Sequence, residues 1–144
     1  MDKYLINYLS IKNKILKKEG NKVYKPKKVE SKLLIYQKYT DIIDYGYNLL
    51  VKYPKIEKYA LSTSIRNSMF ETLRLILYAN KIADKYTRIK ILNKIDAEIA
   101  MQGFYVRFSY KQKYITSKNY IEWSKRLDEI GKILGGWIKS CLKE

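Results

Sequence analysis

Histidine is absent from the 144-residue sequence, and cysteine occurs once, as Cys141. Without histidine, the chain lacks the commonest general base and the usual metal ligand, and it cannot build a Ser-His or Cys-His catalytic pair. A single cysteine excludes both an intramolecular disulfide and a cysteine-based zinc site. We therefore predict a protein with no catalytic residue, no metal and no cofactor, in a reducing compartment.

Carboxylate pairs are the remaining route to catalysis. Asp41 and Asp44 are three residues apart and would share a helix face, where they could hold Mg²⁺. A pair of this kind is far more often a solvated patch. We therefore expect that the protein is not an enzyme.

Long hydrophobic runs are also missing. No run approaches the roughly 20 apolar residues that span a bilayer, and the first 20 residues lack the uncharged core of a secretion signal. The sequence predicts a cytoplasmic protein with no membrane partner.

Acidic residues are scarce: 14 Asp and Glu stand against 30 Lys and Arg, which gives a formal net charge of +16. A charge of this size is most easily tolerated when the partner is a polyanion, and nucleic acid is the leading candidate. The abundance of Lys, Asn, Ile and Tyr also fits an AT-rich genome. That origin explains the choice of Lys and Tyr but not the shortage of acids.

The chain divides at about residue 31. Residues 1–31 form a basic N-terminal extension, in which apolar residues recur at helical spacing before a Lys-rich stretch that contains Pro26. These apolar residues are Tyr4, Leu5, Tyr8, Leu9, Ile11, Ile15 and Leu16. We predict a short amphipathic helix followed by a basic linker; such a helix alone is marginal in water.

Residues 32–144 show the 3.6-residue periodicity of four amphipathic helices. The apolar seam of the first predicted helix is Ile35, Tyr39, Ile42, Gly46, Leu49 and Tyr53. The second is Leu61, Ile65, Met69, Leu73, Ile76 and Ala83, and the third is Leu92, Ile95, Ile99, Val106 and Tyr110. The fourth is Trp123, Leu127, Ile130, Leu134, Trp137 and Cys141.

The connections between these helices are short. Pro54 ends the first helix, and the second is expected to start between Pro54 and Glu57 and to end near Asn80 to Lys85. The third begins at about Thr87, and Ser117 is expected to cap the fourth. Because short connections join antiparallel neighbours, we predict an all-α, up-down-up-down four-helix bundle.

Basic residues are organised on these helices. On the fourth helix, lysines recur at steps of seven, seven and four residues, and this spacing places them on a stripe opposite the apolar seam. Further basic residues lie on the second and third helices. The candidate nucleic-acid or partner-binding residues are Arg66, Arg74, Lys81, Arg107, Lys111, Lys125, Arg126, Lys132, Lys139 and Lys143. Such faces neutralise phosphates with little sequence readout, although an ordinary solvated face is the alternative.

Three glycines, Gly131, Gly135 and Gly136, interrupt the fourth helix beside Trp137. Each glycine in a helix interior costs about 1 kcal/mol relative to alanine. Small residues four apart allow another helix to approach closely, either within the subunit or across an oligomer interface. We therefore predict close helix packing or an oligomer interface at these glycines and at Trp137.

Five segments, in order along the chain, are informative when they are taken together. They are Lys52-Tyr53-Pro54-Lys55-Ile56-Glu57-Lys58-Tyr59, Ile65-Arg66-Asn67-Ser68, Ala79-Asn80-Lys81, Tyr120-Ile121-Glu122-Trp123-Ser124 and Ile130-Gly131-Lys132-Ile133-Leu134-Gly135-Gly136-Trp137-Ile138-Lys139. In these segments the chain resembles the accessory variability determinant proteins of diversity-generating retroelements, and the likeness covers about residues 33–142. A wider relative is the four-helix-bundle group encoded in intervening sequences of large-subunit ribosomal RNA genes.

This resemblance implies a non-catalytic partner of a reverse transcriptase. It implies a basic, barrel-like homopentamer that binds the enzyme and the template-repeat RNA, so that mutagenic cDNA is made and moved into a target gene. Arg107 matches a basic third-helix position of the family, and Gly103 stands where some relatives carry another arginine. Residues 1–31 are not part of the pattern; we suggest that they add a contact to RNA or to the reverse transcriptase.

Two other functions remain open from the sequence. One is a free-standing nucleic-acid-binding bundle of the intervening-sequence type, without a reverse transcriptase. The other is a membrane-surface protein that lays the helix from Tyr4 to Leu16 on anionic lipid.

Overall fold

The computed structural model of the chain describes residues 3–18, 23–25 and 33–144. These residues form five α-helices and one short 3-10 turn, and they contain no β-strand. The helices are α1 (Lys3–Lys18), α2 (Leu34–Leu50), α3 (Leu61–Lys81), α4 (Lys85–Lys111) and α5 (Ser117–Leu142), and the turn is Lys55–Glu57. The all-α prediction is confirmed.

Helices α2 to α5 pack into a bundle around one core. Each contacts its neighbour in the chain, and α5 also contacts α2. Within the described ranges, α1 makes no comparable contact with the bundle, and most of the predicted basic linker lies outside the described residues. No helix in residues 3–18 and 33–144 combines the length and hydropathy that crossing a membrane requires.

The apolar seams predicted from the sequence line this core. All six residues of the first seam are buried, and five of the six residues of the fourth are buried, with Trp137 half-buried. In α3, Ile65, Met69 and Ile76 are buried. Four residues of the third seam are buried in α4: Leu92, Ile95, Ile99 and Val106.

Two residues assigned to these seams are in fact exposed. Ala83 lies in the connection after α3, which ends at Lys81, so no helix turns its side chain inward. Tyr110 is 41% exposed and stacks on Tyr120, while the neighbouring Ser109 is buried in its place. The prediction was wrong at Ala83 because the helix ends before it, and wrong at Tyr110 because the buried face of α4 continues from Val106 by a step of three residues, to Ser109, and not by a step of four.

Three helix starts also differ from the prediction. The 3-10 turn follows Pro54, and Ala60 is non-helical (φ −120°, ψ −101°), so α3 begins only at Leu61. Asp84 caps α4 by accepting a hydrogen bond from the Thr87 backbone N–H at 2.9 Å. Thr116, rather than Ser117, caps α5, and it accepts from the Asn119 backbone N–H at 3.1 Å.

A buried hydrogen-bond cluster joins α2, α3 and α4 inside the core. The Tyr39 hydroxyl donates to Gln102 Oε1 at 2.8 Å, and Gln102 Nε2 donates to Ser68 Oγ and Thr72 Oγ1, both at 3.0 Å. Ser68 Oγ in turn donates to Glu98 Oε2 at 2.6 Å. Burial raises the pKa of the Tyr39 phenol, so this hydroxyl stays a donor at neutral pH. Each polar group has a partner, which is what a buried polar cluster needs to be tolerated.

At Gly46 the backbone of α2 lies directly against side chains of α5 and α3. A Cβ atom at this position would lie 2.8 Å from Trp123 Cζ2 and 3.1 Å from Met69 Sδ. Because real Cβ atoms almost never approach this closely, only glycine leaves room for the indole. The Trp123 side chain, 1% exposed, therefore lies directly against the α2 backbone.

Candidate nucleic-acid interface

The predicted lysine stripe lies on the outer side of α5. Its members, Lys125, Lys132, Lys139 and Lys143, are all exposed, and Lys143 lies one residue past the end of the helix. The buried seam occupies the opposite side of α5. None of these lysines forms an ion pair within the described part of the chain. Their charges therefore remain available to an external anion.

The acidic residues on the α2 side of α5 are paired within the chain. Glu129 Oε1 lies 2.7 Å from Lys38 Nζ, and Glu122 Oε1 lies 2.9 Å from Arg126 Nε. The Arg126 guanidinium also lies 4.5 Å from the centre of the Tyr45 ring. Arg126, predicted as a binding residue, is thus engaged in the contact between α2 and α5.

A groove of about 270 Å³ separates α2 from α5 at this point. We call it the α2–α5 groove; its charged lining residues are Lys38, Asp41, Glu122, Arg126 and Glu129. Partial burial raises the pKa of the Tyr45 phenol beside it, and the Glu122 carboxylate acts in the same direction. Because three carboxylates surround its two cations, this groove does not attract phosphate.

The cations predicted on α3 differ in whether they have partners within the chain. Arg66 Nη2 donates to the Lys58 carbonyl at 3.3 Å and to Thr63 Oγ1 at 3.2 Å, so it ties the start of α3 to the preceding turn. Arg74 pairs with Glu71 one turn earlier. Lys81 is exposed at the end of the helix. Two of these three residues therefore already have partners within the chain.

A second groove lies between α4 and α5 and has a volume of about 360 Å³. We call it the α4–α5 groove; its lining includes Gly103, Phe104, Arg107, Tyr120, Ser124 and Asp128. Arg107 is exposed, and so is Lys111 one turn later. Ser124 lines the groove, but the next residue, Lys125, points to a different face of α5 because consecutive residues of a helix do not share a face. The structure thus places Arg107 at this groove and the lysine stripe on another face of α5.

Among the described residues, no other helix packs closely against the glycines of α5. A Cβ atom at Gly131, Gly135 or Gly136 would meet nothing within 4 Å beyond the backbone of its own helix. Close packing within the subunit, one of the two predicted explanations, is therefore not seen in the described part of the chain. Trp137 is half-buried and packs against the core. The oligomer-interface explanation stays a prediction.

Sequence reasoning missed two features of the site. It gave no part to Tyr120 and Asp128, which complete the α4–α5 groove opposite Phe104. It also treated Gly46 only as one position of a seam, although a glycine among large apolar residues at regular spacing is itself a signal of close approach. Within the described residues, no group of three or more His, Cys, Asp or Glu side chains could hold a metal ion.

Comparisons with known proteins extend this picture. Residues 33–141 match the model of the family described as bAvd-like. The chain is also similar to a solved structure from Bacteroides thetaiotaomicron, described as a protein of unknown function from the S23 ribosomal protein family. That similarity has a TM-score of 0.67 at 20% identity, and it covers 74% of this chain and 99% of the other. No curated protein matches.

The structural similarity, at this low identity, shows a shared fold. The family match has wider weight because it extends from the residue before α2 almost to the end of α5 and so takes in the whole bundle. It also agrees with the resemblance carried by the sequence segments above. The chain belongs to the bAvd-like family.

Proposed function

We propose that this chain is the accessory protein of a diversity-generating retroelement, which binds the reverse transcriptase and the template-repeat RNA and so supports mutagenic cDNA synthesis and retrohoming. The observation that carries the proposal is the bAvd-like match over residues 33–141. The family is an accessory, non-catalytic one, and we expect the chain itself to show neither polymerase nor nuclease activity. We place it in the cytoplasm.

The charge distribution supports a role in binding RNA. The lysine stripe and the Arg107–Lys111 pair are exposed and have no ion-pair partner in the described part of the molecule. By contrast, the acids on the α2 side of α5 are paired with cations. Cations without internal partners can neutralise phosphates and release counterions, which produces salt-dependent binding.

Co-purification tests the proposal directly. The chain is co-expressed with the reverse transcriptase encoded beside it, with and without the template-repeat RNA, and the complex is analysed by mass. We expect a complex that makes cDNA only when this chain is present. Absence of association at moderate salt, or cDNA synthesis that does not depend on the chain, would overturn the proposal.

The lysine stripe can be tested separately by charge removal. Changing Lys125, Lys132, Lys139 and Lys143 to glutamine should weaken RNA binding and should reduce the slope of log K against log salt by up to about 3, since each phosphate contact on a single strand contributes about 0.7. A matched control changes four other exposed lysines, Lys52, Lys55, Lys90 and Lys94, and removes the same net charge. Equal loss in both variants would indicate non-specific attraction only.

We also propose that the bundle is antiparallel and assembles into a homopentameric barrel. The short connections between its helices support the antiparallel order. The open space beside Gly131, Gly135 and Gly136 supports a partner helix from a second copy, because no helix among the described residues fills it. Native mass spectrometry should show pentamers for the natural chain and smaller species for Gly135→Leu; a natural chain that remains a monomer would contradict this assembly.

The alternative function is a free-standing nucleic-acid-binding bundle without a reverse transcriptase. The fold similarity to the S23-family structure is the observation that favours it. The same co-purification distinguishes the two, because this alternative predicts RNA binding with no reverse transcriptase in the complex.

A further inference from the structure

The α4–α5 groove combines an open space, aromatic rings and unpaired cations. We propose that it is a base-binding subsite, which takes unpaired bases of a single-stranded nucleic acid while the cations at its edge hold the phosphates. This inference rests on the proposed function, since it specifies the form of nucleic acid that the chain binds. It also gives a binding role to groove residues that are not part of the basic surface.

The groove has room for a planar ligand. Its volume of about 360 Å³ lies at the low end of the range of about 300–1,000 Å³ that is usual for small-molecule sites. Gly103 lines it from α4, and a Cβ atom there would meet no other atom within 4 Å. The space beside this glycine is therefore left open by the side chains that the structure describes.

Aromatic rings border this space. Phe104 is 45% exposed and stacks on Phe108, with ring centres 6.0 Å apart and planes 27° apart. Tyr120, which also lines the groove, stacks on Tyr110 at 4.8 Å and 17°. Tyr120 is half-buried. Because every nucleobase has a π-face, the accessible part of such rings can stack on bases of any sequence. Phe104 and Tyr120 thus supply stacking surfaces on both helices.

The charges around the groove fit the two parts of a nucleotide. Arg107, with its guanidinium carbon 6.0 Å from the centre of the Phe104 ring, is exposed, and Lys111 follows one turn later. Asp128 lines the α5 wall; its carboxylate repels phosphate but can accept hydrogen bonds from the amino groups of bases. This arrangement favours the base in the groove and the backbone at the cationic edge.

Single strands are favoured over duplexes for a steric reason. A base in a duplex is stacked and paired, so its face cannot enter a groove, whereas an unpaired base can be turned out and stacked on protein rings. The lysine stripe, in contrast, contacts phosphates that both forms carry. The groove and the stripe should therefore respond differently to the form of the nucleic acid.

The test uses a labelled RNA strand without self-complementarity and the same strand annealed to its complement, each titrated with the full chain and followed by fluorescence anisotropy. Two variants address the groove: Phe104→Leu removes the ring, and Gly103→Leu fills the space. Phe70→Leu is the matched control, because Phe70 on α3 is also 45% exposed and also contacts an aromatic neighbour, Tyr47. Circular dichroism melting curves establish that each variant is folded.

We expect both groove variants to lose at least about fivefold in affinity for the single strand, the lower limit for one stacked base, with duplex affinity unchanged and Phe70→Leu unaffected. Equal losses for strand and duplex, or no loss in Phe104→Leu, would overturn the subsite. Loss of reverse transcriptase capture in Phe104→Leu with RNA affinity unchanged would also overturn it and would assign the groove to a protein partner. Failure of the natural chain to bind either RNA would instead refute the proposed RNA-binding function itself.

Discussion

The two sides of α5 differ in how the chain uses its space and its charges. Toward α2, Trp123 lies directly against Gly46, and the carboxylates of Glu122 and Glu129 are paired with cations. Toward α4, Gly103 faces open space, and Arg107 has no ion-pair partner among the described residues. On the α2 side, which we call the closed side, these groups hold the bundle together. On the α4 side, which we call the open side, similar groups remain available to a ligand.

Replacing glycine by leucine at position 46 and at position 103 should give the largest difference in stability between the two sides. Gly46→Leu forces carbon atoms into the Trp123 ring, and we expect a loss of about 3 kcal/mol or more in the free energy of unfolding. At Gly103 an added Cβ atom meets no neighbouring atom within 4 Å, and leucine replaces a poor helix former, so Gly103→Leu should gain up to about 1 kcal/mol. Urea denaturation of both variants measures the difference; similar stabilities would refute the contrast between a closed and an open side.

Removing one hydroxyl from the buried cluster that joins α2, α3 and α4 tests how much its hydrogen bonds stabilise the core. Tyr39→Phe leaves Gln102 Oε1 without its donor in a buried environment, and such a loss costs about 1–3 kcal/mol. Tyr47→Phe is the control, because Tyr47 lies on the same helix and is 45% exposed; it should change stability very little. An unchanged melting temperature for Tyr39→Phe would show that the cluster is dispensable.

Alkaline pH should destabilise the core, because burial disfavours the ionised form of its tyrosine phenols. Burial raises the pKa of Tyr53 to about 12, above its value of about 10 in the unfolded chain. As pH rises, the unfolded chain therefore loses this proton at a lower pH than the folded protein does. The stability that the protonated Tyr53 phenol contributes is fully present below about pH 10 and is lost as pH rises towards 12. The Tyr39 phenol, whose pKa burial also raises, acts in the same direction.

Tyr53→Phe should make the decrease of stability above pH 10 less steep. At pH 7 it should leave stability equal or higher, because the Tyr53 hydroxyl is buried without a hydrogen-bond partner in the described part of the chain. Urea denaturation at several pH values measures both effects. A pH dependence identical to that of the natural chain would contradict the assignment.

The ion pair between α2 and α5 should have the smallest effect. Lys38 and Glu129 are 42% and 48% exposed, and pairs at such positions contribute about 0–1 kcal/mol. We expect Lys38→Ala to lower stability within that range at low salt and to have no effect at high salt. A larger loss would mean that this pair holds α5 against α2 more firmly than its exposure indicates.

The core could be predicted from the sequence because its apolar residues repeat at regular helical steps. This held for the whole first seam and for most of the fourth, where Trp123 and Leu127 are buried as expected. It failed for Gln102 and Ser109, which are buried although they are polar. Gln102 is hydrogen-bonded to other helices, for example to Tyr39 on α2, whereas Ser109 donates to the Tyr105 carbonyl of its own helix. The spacing of apolar residues along one helix reveals neither partner.

The roles of the glycines could not be predicted for a similar reason. The sequence drew attention to Gly131 and its neighbours, but the close contact within the chain is at Gly46. A glycine has no side chain, so its role depends on what lies opposite, here the Trp123 ring. The candidate site was predicted in part: the basic residues of α4 and α5 were identified, but the groove needs Asp128 and Tyr120 from the facing helix.

The contact between Trp123 and Gly46 also allows the fold to be followed by intrinsic tryptophan fluorescence. An indole shielded from water emits at shorter wavelength than a hydrated one, and Trp123 is 1% exposed, whereas Trp137, the other tryptophan, is only half-buried. Emission at the blue edge therefore follows the α2–α5 contact, and emission at the red edge follows the outer part of α5. Emission at two wavelengths, from two tryptophans of one helix, can thus distinguish unfolding from binding at the surface of α5.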